Sequence, residues 1–431
     1  MVMFIPSLLA AASFFFLLSS AFPNERRQEE VSTVSWPDGP FRVEGRWILN
    51  ASGKNVTYAG VNWSGHGEAM VPEGLQHQSV EYIVSKIKSA GINAIRLTFA
   101  IEMIDDIYAK DGDTDLETSF VKALGEQNGK KILAQVLEKN PSFTAKTTRL
   151  EVFDAVAAEC AKQQIYVHLD NHISKAKWCC GETDGNAWWG DREFPVNNWV
   201  RGLKYMAEHG KNWTALTSIA LRNEPRNPSN NAAAASTYNW ESWYKFVRQG
   251  TQGIFESNPN VLIFLSGLSY DTYIEPVFLG TALTPGNGRF SRDDFPGHAD
   301  KLVLEIHNYE RTIGSCQSLS GNLYKKGFQA MHAEDRGTVN VFPTMLTEFG
   351  FPQDGKAHRD VYAQCLSTYL PEQKAGFFYW VLNGCYYIRS GTQEYDEAWG
   401  LLTADWKEWR DPAYINGAFK TMVEGVKGYL E

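Results

Sequence analysis

Several absences narrow the reading before any motif is considered. No long run of lysine and arginine occurs, and 41 basic residues are outnumbered by 50 acidic ones, for a formal net charge of -9. An acidic surface repels phosphate backbones, so nucleic acid is excluded as a partner. The six cysteines (Cys160, Cys179, Cys180, Cys316, Cys365 and Cys385) match no zinc-ligand spacing. No Ser/Thr/Pro-rich linker, internal repeat or second module interrupts the chain. Its 431 residues are therefore read as one domain, a length that a single α/β barrel can fill.

One apolar stretch, 8–18 (LLAAASFFFLL), precedes the small residues Ser19, Ser20 and Ala21. It resembles a secretory signal over residues 1–21, although the usual positive charge before it is missing. Pro6, the short length and the polar residues beyond argue against an uncleaved membrane anchor. Residues 22–38 form a polar segment in which Arg26-Arg27 is either a pro-peptide processing site or a charged tether. Asn50, Asn55, Asn62 and Asn212 each open an N-x-Ser/Thr triplet. Of these, Asn62 is the least suited to glycosylation, because it falls at a strand end. The cysteines fit an oxidising compartment, their connectivity is left open, and adjacent Cys179 and Cys180 are not expected to pair with each other. The expectation is a secreted, extracellular monomer with no stable membrane association.

From residue 39 onward, short β-rich runs alternate with longer helical ones. Strands are predicted at 56–63, 93–99, 165–171, 216–222, 261–266, 302–307, 344–349 and 376–382. Helices are predicted at 78–90 (ended by Gly91), 148–163, 199–209, 240–256, 323–333, 359–369 and 413–429, with at least one more, 120–139, in an insertion. Most strands are continuous apolar runs, as expected when both faces are covered. Consecutive parallel strands need crossovers, and eight such units favour a closed (β/α)8 TIM barrel over an open sheet. The predicted architecture is one barrel domain, 39–431, with extended strand-following loops and a small N-terminal β-hairpin (41–51) under the floor.

In such a barrel, catalytic groups lie at the C-terminal ends of the strands. Those ends carry Asn62 and Trp63, Arg96, Asp170-Asn171-His172, Arg222-Asn223-Glu224-Pro225, His307-Asn308-Tyr309, Thr347-Glu348-Phe349-Gly350 and Trp380. A lone strand-end carboxylate is usually just solvated. Two of them on strands four and seven, inside a ring of polar and aromatic groups, are a stronger signal. The 14 tryptophans add to it, since indole faces stack on the C–H faces of sugars.

The order Arg96, His172, Asn223-Glu224-Pro225, His307-x-Tyr309, Glu348 and Trp380 resembles glycoside hydrolase family 5 over nearly the whole mature chain. The stretches LDNHISKAKWCCGETDGNAWWGD (169–191) and LRNEPRNP (221–228) resemble its cellulase-like members from fungi and plants. The resemblance implies retaining hydrolysis of a β-linked oligo- or polysaccharide, with Glu224 as acid/base and Glu348 as nucleophile. Physical roles for the others follow. Arg96 is expected to pair with Glu348 and keep it ionised, and Tyr309 to donate to the same carboxylate. Glu224 is expected to hold its proton through partial burial and the neighbouring charge. Asn223 is expected on the sugar 2-hydroxyl, His172 and His307 on the polar floor, and Trp380 stacked beneath the sugar. Trp63 and Trp178 are added as substrate contacts, with Trp188, Trp189 and Trp399 as candidate cleft walls. Arg222 reads as an internal ion-pair partner.

Two carboxylates suffice for this chemistry, so neither a metal nor an organic cofactor is called for. The leading expectation is an endo-β-1,4-glucanase. The same machinery would serve a β-mannanase, an exo-β-glucosidase or a hydrolase of small glycosides or glycolipids. A non-catalytic carbohydrate-binding protein is a different class, which loss of either glutamate would have favoured. A barrel aldolase would need a Schiff-base lysine or a metal cluster at the strand ends, and neither is visible.

Overall fold

The computed structural model describes residues 36–428. The apolar stretch 8–18, the cleavage expected near Ala21 and Arg26-Arg27 lie outside them. Eight parallel strands close into a barrel: β1 (Ala59–Trp63), β2 (Ala94–Ala100), β3 (Tyr166–Ile173), β4 (Leu216–Ala220), β5 (Leu262–Leu265), β6 (Leu302–His307), β7 (Thr344–Glu348) and β8 (Phe377–Tyr379). They neighbour one another in chain order, and β8 closes the ring by pairing Phe377 with Ala59 of β1. This is the predicted (β/α)8 architecture.

Strand alternation sorts the side chains into two cores. In β2, Ile95, Leu97 and Phe99 pack outward against the helices, while Ala94 joins the inner cluster. Arg96 and Thr98 share that inward face. In β6, Leu302, Leu304 and Ile306 point outward and Val303 inward, which places Glu305 and His307 inside the barrel. The lower interior is apolar, built from Tyr58, Phe264, Met345 and Phe378. Phe41, Val43 and Ile48 plug it from a small antiparallel sheet. That sheet is the expected hairpin, Arg42–Glu44 with Trp47–Leu49, extended by Asn55–Val56.

Helix starts follow their capping residues. Ser79 accepts a hydrogen bond from the Tyr82 amide at the head of Val80–Ser89, and Thr148 with Glu151 forms a capping box on Arg149–Lys162. The insertion after β2 holds three helices, Ile101–Lys110, Leu116–Leu124 and Glu126–Lys139. The last two touch at Gly129, where a Cβ would lie 2.6 Å from the Val121 backbone. Several boundaries moved, three of them as follows. The helix expected at 323–333 is Cys316–Lys326 followed by a 3-10 turn, 359–369 extends to Val361–Gln373, and 376–382 shortens to Phe377–Tyr379. A hairpin, Cys385–Arg389 with Thr392–Asp396, follows β8 and was not foreseen.

Cys316 and Cys365 form a disulfide between two of these helices, and Cys160 and Cys385 are buried free thiols. Cys179 and Cys180 are bonded to each other, contrary to expectation. A trans peptide would hold their Cα atoms about 3.8 Å apart. Here the peptide between them is cis and the Cα atoms are 3.1 Å apart.

Candidate active site

The polar interior begins where the apolar plug ends, and it is organised around Arg96. Its guanidinium is fully buried and meets Glu348 Oε1 at 2.7 Å and Asp170 Oδ1 at 3.0 Å. It also donates to Asn62 Oδ1 at 2.8 Å and Asn223 Oδ1 at 2.9 Å. Burial works against its charge, but Asp170 and Glu348 outweigh it and hold its pKa above the usual value. Asp170 in turn holds His172 through Nδ1 at 2.6 Å.

The two glutamates stand in different surroundings. Glu348, at the end of β7, accepts from Arg96 on one oxygen and from the Tyr309 hydroxyl at 2.9 Å on the other. Burial raises its pKa above the usual carboxylate value, and the Arg96 guanidinium opposes only part of that rise. Tyr309 remains a donor, because burial and the negative charge of Glu348 push its own pKa well up. Glu224 lies just beyond β4 with a left-handed backbone (φ 48), its carbonyl oxygen accepting from Arg226 at 3.0 Å. Among the described residues its carboxyl hydrogen-bonds only to His307, whose Nδ1 is 3.0 Å from Oε1. Burial pushes Glu224 up to about 7 and His307 down to about 4, leaving a neutral imidazole beside a protonated acid.

One oxygen of Glu224, one of Glu348 and a His307 nitrogen all lie within 4.8 Å of one another. Retaining hydrolysis uses carboxyls about 5–5.5 Å apart, and inverting hydrolysis about 6.5–9.5 Å. An oxygen-to-oxygen approach inside 4.8 Å meets the closeness that the first class needs. Behind His307, Asp271 and Glu305 are fully buried and form a second set of ligand-type atoms within 4.8 Å. Burial raises both of their pKa values; the charge of Glu305 adds to the rise at Asp271, and those of Asp170 and Glu348 add to the rise at Glu305. His172, Cys179 and Cys180 make a third such set. None of the three is needed as a metal site for acid/nucleophile chemistry.

Above the pair opens a cavity of about 250 Å³. Its walls include His172, Trp178, Asn223, Glu224, Tyr309, Glu348, Trp380 and Trp399. Trp380 stacks on His172 with ring centres 5.3 Å apart. Gly350 permits this arrangement, since any Cβ there would collide with the Trp380 carbonyl oxygen.

Other expected residues sit elsewhere. Trp63 is buried with no exposure, donates to the Glu73 carbonyl and packs on Trp406, so it does not face the cavity. It occupies an outward position of β1, on the helix side. Trp188 and Trp189 are likewise buried, among Phe194, Trp199, Tyr238 and Phe246, and widen no cleft. Arg222 forms no ion pair among the described residues. It donates to Ser174 Oγ and the Asn186 carbonyl and lies over the Phe194 ring, with burial lowering its pKa to about 9. Arg96 and His307 lie behind the carboxyls rather than in the cavity wall. Asn62 is fully buried against Arg96, whereas Asn212 is exposed.

Sequence reasoning missed four wall residues, Cys179, Cys180, Arg389 and Glu397. The last two come from the unforeseen hairpin and its exit, and they pair with each other. It also missed Asp271 and Glu305. The signal for Glu305 was available as a single acid at an inward position of an apolar strand.

A closed (β/α)8 barrel with two opposed carboxyls at its mouth defines the class of barrel glycosidases. The family model Cellulase (glycosyl hydrolase family 5) matches residues 49–385, and the chain belongs to that family. A glycosyl hydrolase 5 family protein of Chamaecyparis obtusa is 30% identical over 88% of this chain, which spans 65% of that protein's length. An endoglucanase of Paenibacillus polymyxa is 22% identical, with 87% of this chain and 85% of the relative covered. The catalytic domain of the major endoglucanase from Xanthomonas campestris pv. campestris superposes with TM-score 0.63 at 21% identity, covering 90% of this chain and 99% of that one. An endocellulase from Pyrococcus horikoshii in complex with cellotetraose superposes with TM-score 0.64 at 20% identity, covering 91% and 98%. No helix of the described residues is long and apolar enough to cross a membrane.

Proposed function

We propose that this chain is a retaining endo-β-1,4-glucanase, with Glu224 as acid/base and Glu348 as nucleophile. The observation that carries the reading is the approach of one oxygen of each carboxyl to within 4.8 Å, one carboxyl held by a cation and a phenol and the other against a neutral ring.

In the first step the Glu348 carboxylate attacks the anomeric carbon as the glycosidic C–O bond breaks. Glu224 gives its proton to the departing oxygen. In the second step the Glu224 carboxylate takes a proton from water, whose oxygen attacks the anomeric carbon and releases Glu348. Asn223, fixed by Arg96, is placed to hydrogen-bond the 2-hydroxyl, and Trp380 to carry the ring. Endoglucanase relatives and a cellotetraose-bound neighbour support β-glucan as the substrate. The disulfides support a site of action outside the reducing cytosol.

The test is hydrolysis of carboxymethyl cellulose and mixed-linkage glucan, followed by viscosity and by the anomer first released. A rapid fall in viscosity with early β-anomer is expected. Early α-anomer from a β-linked substrate would contradict retention. Release of monosaccharide alone, or turnover limited to mannan or small aryl or lipid glycosides, would remove the endoglucanase reading.

A further inference from the structure

The Cys179–Cys180 bridge occupies a stretch of cavity wall that the two-carboxyl chemistry does not use. Both cysteines face the cavity beside Glu224, and Asn223 Nδ2 is 3.5 Å from Cys180 Sγ and 3.8 Å from Cys179 Sγ. Disulfide sulfurs donate no hydrogen bond, so the bridge is a soft, polarisable patch in an otherwise polar mouth.

A second cavity, of about 420 Å³, adjoins the first and shares Trp178 and Cys180 with it. Its other walls carry Glu68, Lys177, Asp184 and Ser390. Glu68 Oε2 is buried and has no hydrogen-bond partner among the described residues. Trp178 is braced by Arg389, whose guanidinium carbon lies 3.6 Å from its ring centre, and by the edge of Tyr386. The bridge and the indole thus form a firm, apolar sill between a cavity holding the catalytic pair and one lined by hydrogen-bonding groups.

Building on the glycosidase reading, we propose that the Cys179–Cys180 bridge and Trp178 form a sugar subsite beside the cleavage point. It would take the adjacent ring of a β-linked chain and lead it toward the second cavity. A pyranose ring offers C–H groups on its faces and hydroxyls around its edge. The sill meets the faces, and Glu68, Lys177 and Ser390 meet the hydroxyls. Ligand cavities for larger molecules start at roughly 300 Å³. The first cavity, about 250 Å³, is below that, so a chain of several rings needs the space beyond the sill.

The test compares kcat/KM on an aryl β-glucoside, cellotriose and cellopentaose for the parent, a Cys179→Ala/Cys180→Ala variant and a Glu68→Ala/Lys177→Ala variant. In both variants the ratio of cellopentaose to aryl glucoside efficiency should fall about tenfold, carried by KM. Equal losses on short and long substrates in the cysteine variant would overturn the subsite, because the bridge would then only shape the catalytic cavity. Should that variant fail to fold, an unchanged ratio in the Glu68/Lys177 variant overturns it. Failure of the underlying reading is distinct: the parent would hydrolyse none of the three, or Glu348→Ala would keep the parent rate.

Discussion

The β7 and β4 walls of the mouth carry the same side chain and treat it differently. On β7, Glu348 is gripped by a buried guanidinium and a phenol, two donors that favour the carboxylate. Beyond β4, Glu224 meets one neutral imidazole, and burial favours its acid form and lifts its pKa to about 7. Two chemically identical groups are thereby assigned opposite tasks by their neighbours. The cation that separates them is not in the cavity wall. Arg96 stands behind it, joined to Asp170, Asn62 and Asn223 as well as to Glu348.

The largest expected effect removes the β7 side of this contrast. Glu348→Ala should lower kcat on every substrate by on the order of 10⁴-fold or more, with the folded structure retained by circular dichroism. Next, Glu224→Ala should cost roughly 10²–10⁴-fold on unactivated glycosides. It should cost far less on a dinitrophenyl glycoside, whose leaving group needs no proton. Equal losses on the two substrates would remove the acid role.

Much of this contrast was legible in the sequence, because barrel strands announce themselves as apolar runs and their ends hold the polar residues. The inward positions of Arg96 and His307 follow from alternation alone. Tryptophan was less informative. Trp63, Trp188 and Trp189 follow the same local pattern as Trp178 and Trp399, and the face each takes depends on packing against Trp406, Phe246 and Phe194. The Cys179–Cys180 bridge could not be read from spacing, since adjacent cysteines on a trans peptide diverge. Arg389 and Glu397 were hidden because a short hairpin leaves a weak pattern after the last strand.

Smaller effects sharpen the comparison. The pH profile of kcat/KM should be bell-shaped and should bend downward near pH 7 as Glu224 loses its proton. Tyr309→Phe removes a donor to the Glu348 carboxylate and leaves the Glu224 side intact. About tenfold should be lost, with the acid limb moving to higher pH because the carboxylate is less stabilised. Movement of the basic limb instead would reverse the assignment.

The smallest effect concerns the buried pair behind His307. Glu305 has a pKa raised above its unfolded value of 4.5 by burial. Its contribution to stability is therefore full below that value and is lost as pH rises toward the folded-state pKa. Glu305→Gln keeps the neutral form at every pH. Its melting temperature relative to the parent should rise between pH 5 and pH 8, and a constant difference would show that Glu305 is ionised in the fold.

The account rests on Glu348 as the atom donor to the anomeric carbon, and trapping it is the most direct measurement. A 2-deoxy-2-fluoro cellobioside with a dinitrophenyl leaving group should inactivate the enzyme and add one cellobiosyl unit. Peptide mapping by mass spectrometry should place that unit on Glu348. A label on Glu224 or any other residue, or turnover without a trapped adduct and with an α-product, would contradict it.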